Sequence, residues 1–185
     1  MRIFLTVLVL IFSLQSWTKA DDISDFEIEG MSIGDSLLEY FDESIILNNP
    51  RYDHTNTNWN NDEMFQLRTY ENGPYTEIMF ALKKNDKKYI IYSIGGLVRM
   101  DNNISKCYKD MKSVALELEE LFPHTTKSKI YYNELNADKT GNSKVRSIYF
   151  NFNSGDYVAV QCYDWAEPMG YWDNLRIVLT TKVFN

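Results

Sequence analysis

Between residues 104 and 122, apolar side chains return at steps of three and four: Ile104, Cys107, Met111, Val114, Leu118, Leu121 and Phe122. That spacing draws a single stripe along a helix, and a striped helix must lay its stripe on another layer. Pro123 ends the pattern. The charges oppose the helix dipole, with Lys106, Lys109 and Lys112 early and Glu117, Glu119 and Glu120 late. Each reversed charge costs on the order of a few tenths of a kcal/mol. Packing of the stripe, rather than intrinsic preference, therefore holds this helix.

The remaining pattern supplies the layer it packs on. Three strand-like runs come before it, at residues 63–70, 75–82 and 88–98, separated by Asn72-Gly73-Pro74 and Asn85-Asp86. Ile78, Phe80 and Leu82 alternate as a half-buried strand requires. Gly95-Gly96 reads as a bulge or bend. Four runs follow the helix, at residues 129–135, 145–152, 157–165 and 175–184. Upstream, Ser32 with Asp35 three residues on resembles a capping box, opening a helix with Ile33, Leu37, Leu38 and Phe41 on one face. A shorter helix is expected over Glu43–Leu47 behind Asp42, and a short strand around residues 26–28. Residues 48–61, rich in Asn and Asp and broken by Pro50, read as a loop. The fold class is α+β: a mainly antiparallel sheet with helices packed on one face. Residues 21–185 have the length of one domain.

One register is decided by the pattern. Ile148, Phe150 and Phe152 lie on one face of their strand; Val158, Val160 and Cys162 lie on one face of the next. A two-residue loop would set Phe150 against Ala159 and mix the faces. The three-residue loop Asn153-Ser154-Gly155, with Gly155 in the left-handed position, keeps them together. Ile148 is then opposite Val160, and Phe150 opposite Val158. Cys162 sits on the face that the striped helix covers, and Cys107 sits on the stripe. The two cysteines are either a disulfide, with Cα atoms about 4.4–6.8 Å apart, or two separate buried thiols.

The N-terminus bears on that choice. Arg2 precedes an apolar run over residues 3–12 broken only by Thr6; Thr18 and Ala20 then satisfy the small-residue rule for cleavage before Asp21. A spanning helix needs about 20 apolar residues, more than this run holds. Residues 1–20 therefore read as a removable export signal, placing the rest in the periplasm or outside the cell, where disulfides persist. No later run is long enough to span a bilayer.

Losing Arg2 and Lys19 leaves the remainder two units more negative than the −7 of the whole chain. That balance argues against nucleic acid, whose binding rests on basic patches, and against anionic membrane surfaces. With 44% hydrophobic and 15% aromatic residues, the chain can fill a core. The two histidines, His54 and His124, lack ligand spacing and read as loop residues, so no metal site is expected. Nucleophile-elbow and phosphate-loop motifs are absent, and no cofactor is implied. Residues 138–142 only superficially resemble a calcium loop, lacking its alternating acids and terminal Glu; a hairpin turn is the better reading.

Chemistry concentrates in residues 163–173. Tyr163, Trp165, Tyr171 and Trp172 stand there with Asp164, Glu167 and Asp173 around Pro168 and Gly170. Aromatic faces beside acids hold a sugar, a cation or a partner's basic side chain; two carboxylates also suit acid–base hydrolysis. The alternative is a loop folded back to seal the sheet edge. Period-two alternation puts Tyr163 and Trp165 on the face opposite Cys162.

Four stretches carry a family resemblance: Ser16-Trp17-Thr18-Lys19-Ala20-Asp21-Asp22, residues 28–38, Lys87-Lys88-Tyr89-Ile90-Ile91-Tyr92-Ser93 and Cys162-Tyr163-Asp164-Trp165. The chain resembles, over nearly its whole length, a family of small uncharacterised exported proteins of marine alphaproteobacteria. The resemblance implies a signal peptide and a Gram-negative envelope location, and no activity or functional residue. The leading expectation is a non-enzymatic binding or interaction module, with a small ligand or an envelope protein as partner. Its rivals are a small hydrolase using carboxylates such as Asp164 and Glu167, and a structural envelope protein without a small ligand.

Overall fold

A computed structural model describes residues 22–48, 63–69, 73–101 and 103–184. The expected export signal, the 48–61 loop apart from Asn48, and His54 lie outside the described residues.

Strand pairing dominates the architecture. After the short helix α1 (Glu43–Leu47) come β1 (Met64–Thr69), β2 (Glu77–Lys83) and β3 (Ile91–Arg99). The main helix α2 (Ile104–Leu121) leads to β4 (Thr126–Lys127), β5 (Tyr131–Glu134), β6 (Lys144–Asn151), β7 (Tyr157–Asp164) and β8 (Asn174–Thr180). They form one eight-stranded sheet in the order β1-β2-β3-β8-β7-β6-β4, with β5 also on β6. Its ladders are antiparallel. Two three-stranded meanders thus meet where β3 pairs with β8. Among the described residues the fold is sheet-dominated with one main helix, fewer helices than the sequence pattern suggests.

The N-terminal helix expected from Ser32 does not form. Asp35 does accept the Ser32 N–H through Oδ2 at 2.8 Å. Gly34, however, has φ +92°, a left-handed turn that no α-helix continues through. The chain runs alongside the start of β3 instead, with Gly34 N–H donating to Ile91 O and Ile91 N–H to Asp35 O, both at 3.0 Å. A 3-10 turn, Leu37–Glu39, is all that follows, capped by Ser36. It buries Leu37 and leaves Leu38 41% exposed. Where a strand was expected near residue 26, a 3-10 turn (Ile23–Asp25) and an isolated Ile28–Met31 bridge stand. The short helix over Glu43–Leu47 is present behind Asp42, which makes no side-chain cap bond.

Gly95 and Gly96 are not a bulge. They pair regularly with Met79 and Ile78, and the register shifts instead between Ala81 and Leu82, which face Ser93 and Ile91. Gly96 serves close packing: a Cβ there would stand 2.3 Å from the Tyr75 ring. Tyr75 is buried, and burial raises its hydroxyl to about 12.

The core lies on one side of the sheet. Helix α2 buries Cys107, Met111, Val114, Ala115 and Leu118 over β6, β7 and β8. Phe122 joins its end to the N-terminal segment through Phe26, with ring centroids 5.9 Å apart, and to Phe152 at 5.1 Å. Filling a core position with a side chain as large as Phe150 is worth about 1.5–3 kcal/mol. The β6–β7 register is the expected one, with Ile148 opposite Val160 and Phe150 opposite Val158, turned by Gly155 at φ +95°. Cys107 and Cys162 form a disulfide between α2 and β7, with Cα atoms 5.9 Å apart. Of the helices in the described residues, none is long and apolar enough to cross a membrane.

Candidate binding site

The pleat of β7 divides the aromatic–acidic cluster. Cys162 and Asp164 face α2; Tyr163 faces the other way, and Trp165 continues on its side. On that outer side the Tyr163 and Trp165 rings stack at 6.0 Å with 20° between planes, and Tyr171 tilts onto Trp165 at 4.8 Å. The Arg176 guanidinium lies 3.9 Å from the Tyr163 ring centre, held by its Nε–H donating to Asn174 Oδ1 at 2.8 Å. Burial pulls the Arg176 guanidinium below its ordinary pKa. Trp172 turns elsewhere, 3.7 Å from the guanidinium of Arg99, which pairs with Asp101 at 2.7 Å. Tyr163 and Trp165 are half-buried, whereas Tyr171 is 57% and Trp172 50% exposed.

Two carboxylates fix this ledge from beneath. Asp173 is buried and accepts the Trp165 N–H through Oδ1 at 2.9 Å. Burial pushes its carboxyl above the usual aspartate range; the Trp165 N–H pulls it back, and the nearby Asp164 charge pushes it further up. The next residue, Ala166, donates its N–H to Ser143 Oγ at 2.9 Å. Ser143 Oγ–H in turn donates to Asp138 Oδ2 at 2.7 Å. Asp138 also accepts from Ser143 N–H, Thr140 N–H and Thr140 Oγ–H, at 2.8, 2.9 and 2.7 Å. The Thr140 and Ser143 hydroxyls, with these amides, hold its carboxyl well below the usual range. The loop of residues 138–142 is therefore a carboxylate-centred turn that braces the ledge. Beyond Ala166, the 3-10 turn Glu167–Met169 ends on Gly170 at φ +67°, which redirects the chain toward Tyr171.

Asp164 belongs to a separate feature, a cavity of about 390 Å³ on the helix side. It is lined by Tyr108, Tyr132, Asn133, Glu134, Lys144, Arg146 and Asp164. Tyr108 O–H donates to Asp164 Oδ2 at a long 3.4 Å, and its pKa is raised, first by burial and then by the Asp164 charge.

Of the seven residues the sequence singles out, Tyr163, Trp165 and Tyr171 come together as one stack. Trp172 flanks it on Arg99, Asp173 supports it from below, Asp164 lies on the opposite face, and Glu167 is exposed on the turn. The sequence does not show Arg99 and Arg176 at the site, because the β7–β8 register cannot be read across residues 165–173, nor the β3–β8 register across residues 100–173. Arg146 was within reach: the hairpin register that pairs Ile148 with Val160 also sets Arg146 opposite Cys162, on the helix side. His124 is exposed. Among the described residues no group of His, Cys, Asp and Glu could hold a metal ion. Comparison of the chain with protein families, with curated proteins and with solved structures returned no match.

Proposed function

We propose that this protein is an exported, non-enzymatic binding module of the periplasm or extracellular space, as in the small exported family it resembles. The observation that carries the reading is the ledge of Tyr163, Trp165, Tyr171 and Trp172, interleaved with Arg99 and Arg176. Trp, Tyr and Arg are the residue types that dominate binding energy at protein interfaces. Here they are set on a loop whose backbone is fixed at two successive amides, Trp165 and Ala166. A surface ordered before contact loses less entropy on binding. The arginines already occupy ring faces of Tyr163 and Trp172, so a partner surface suits the ledge better than a small cation. The Cys107–Cys162 disulfide suits an oxidising compartment.

The hydrolase alternative draws no comparable support. Asp164 lines the helix-side cavity, Asp173 is engaged by the Trp165 N–H, and Glu167 lies exposed on the turn.

Copurification from envelope fractions tests the proposal. Trp165→Ala protein of unchanged secondary structure should lose a partner that the wild type retains, identified by quantitative mass spectrometry. Equal recovery from both would count against a binding role for the ledge.

A further inference from the structure

The cavity on the helix side has an unusual charge arrangement. Arg146 projects from β6 between two tyrosines, its guanidinium carbon 3.5 Å from the Tyr108 ring centre and 4.8 Å from that of Tyr132. The rings take the faces of the guanidinium and leave its edge N–H groups for hydrogen bonding. Lys144 and Glu134 satisfy one another: Lys144 Nζ donates to Glu134 Oε1 at 2.9 Å and to Gly141 O at 2.6 Å. Arg146 and Asp164 have no such arrangement. Among the described residues no salt bridge joins either to another, and the side-chain hydrogen bond of Asp164 is the long Tyr108 contact, with the Asp173 charge nearby.

One cation and one anion thus line the same cavity without neutralising each other. In the β6–β7 ladder Arg146 pairs with Cys162 and Lys144 with Asp164, making Arg146 and Asp164 diagonal neighbours. Such neighbours have backbones about 7–8 Å apart, within reach of a long side chain. Yet the Arg146 guanidinium is stacked on the tyrosine rings and makes no ion pair with Asp164, so one small molecule can bridge the two. We propose that this cavity binds a small zwitterion, an α-amino acid in the simplest case, with its carboxylate on Arg146 and its ammonium group on Asp164. The guanidinium fork takes a carboxylate bidentately, Asp164 accepts ammonium N–H bonds, and the Tyr132 ring, 64% exposed, covers the ligand's apolar side chain. The cavity volume stands near the low end of the range for small-molecule sites, about 300–1,000 Å³, which matches a ligand of this size. The site is on the opposite face from the aromatic ledge and does not depend on it.

Calorimetric titration of the folded, disulfide-bonded protein tests this, with the common α-amino acids as a panel and L-phenylalanine as the reference probe. Two analogues separate the charges: phenylalanine amide lacks the carboxylate, and 3-phenylpropionate lacks the ammonium group. The expected result is saturable binding of at least one amino acid, weakened tenfold or more by removing either charge. Arg146→Lys keeps the charge and loses the fork, and should weaken binding at least tenfold. Asp164→Asn should abolish the preference for the amino acid over its deaminated analogue. Ser113→Ala, at an exposed position of α2 that lines neither the cavity nor the ledge, should bind like wild type. No saturable binding of any panel member up to millimolar concentration overturns the proposal. Equal binding of an amino acid and its deaminated analogue by wild type also overturns it, since an anion site would then suffice.

Discussion

Asp138 and Asp173 brace the same loop with carboxyls shifted in opposite directions. At Asp138, four donors favour the charged form, so its folded-state pKa lies below the unfolded value. Its stabilisation is complete above the unfolded value of about 3.9 and is lost as pH falls through the folded one. Thermal midpoints measured downward from about pH 5 should therefore drop for wild type and drop less steeply for Asp138→Asn. Parallel curves would remove Asp138 from the account. Asp173 works the other way, because burial raises its pKa. Its contribution is largest below the unfolded value and declines as pH rises through the folded one. Asp173→Asn keeps an acceptor for the Trp165 N–H without the buried charge, so its stability relative to wild type should increase between about pH 4 and pH 7. Asp173→Ala removes the acceptor and should be about 1 kcal/mol or more less stable than Asp173→Asn at either pH. Urea unfolding of the three proteins at both pH values measures this, and a constant gap between Asn and Asp would contradict it.

The disulfide is the strongest link between the helix and the sheet. Helix α2 carries reversed charges at both ends, so its place depends on its apolar stripe and on Cys107. Cys107 and Cys162 are 55 residues apart, and chain-entropy reasoning for a loop of that size gives at most about 4 kcal/mol. A double Cys107→Ala, Cys162→Ala protein should be destabilised by an amount up to that figure, and reducing agent should destabilise only the wild type. No change on reduction would mean that the stripe alone holds α2. The helix and the β6–β7 hairpin were legible because each is set by short-range periodicity and a local turn. The first helix was misread because Ser32, Asp35 and a plausible apolar face outweighed one residue, Gly34, whose φ breaks it. At Gly95-Gly96 the reading failed for a different reason. Gly96 answers to Tyr75, 21 positions earlier, and a contact across the sheet leaves no local pattern.

Over the whole molecule, one sheet presents two unlike surfaces at the same end. The aromatic composition of the candidate site was visible in residues 163–173, but its division was not fully drawn from the same alternation that placed Tyr163 outward. Asp164 had to face α2 once Cys162 did. The arginines that complete the ledge come from β3 and β8, strands far apart in sequence that meet only in the sheet. Partner binding through the ledge is the central claim, and site-directed photo-crosslinking in the envelope tests it most directly. A photoreactive phenylalanine analogue would replace Tyr171 or Trp172, with exposed Ser113 on α2 as the control position. The account predicts a discrete higher-mass adduct from positions 171 and 172 and none from 113. No adduct from the ledge, or the same adducts from all three positions, would contradict it.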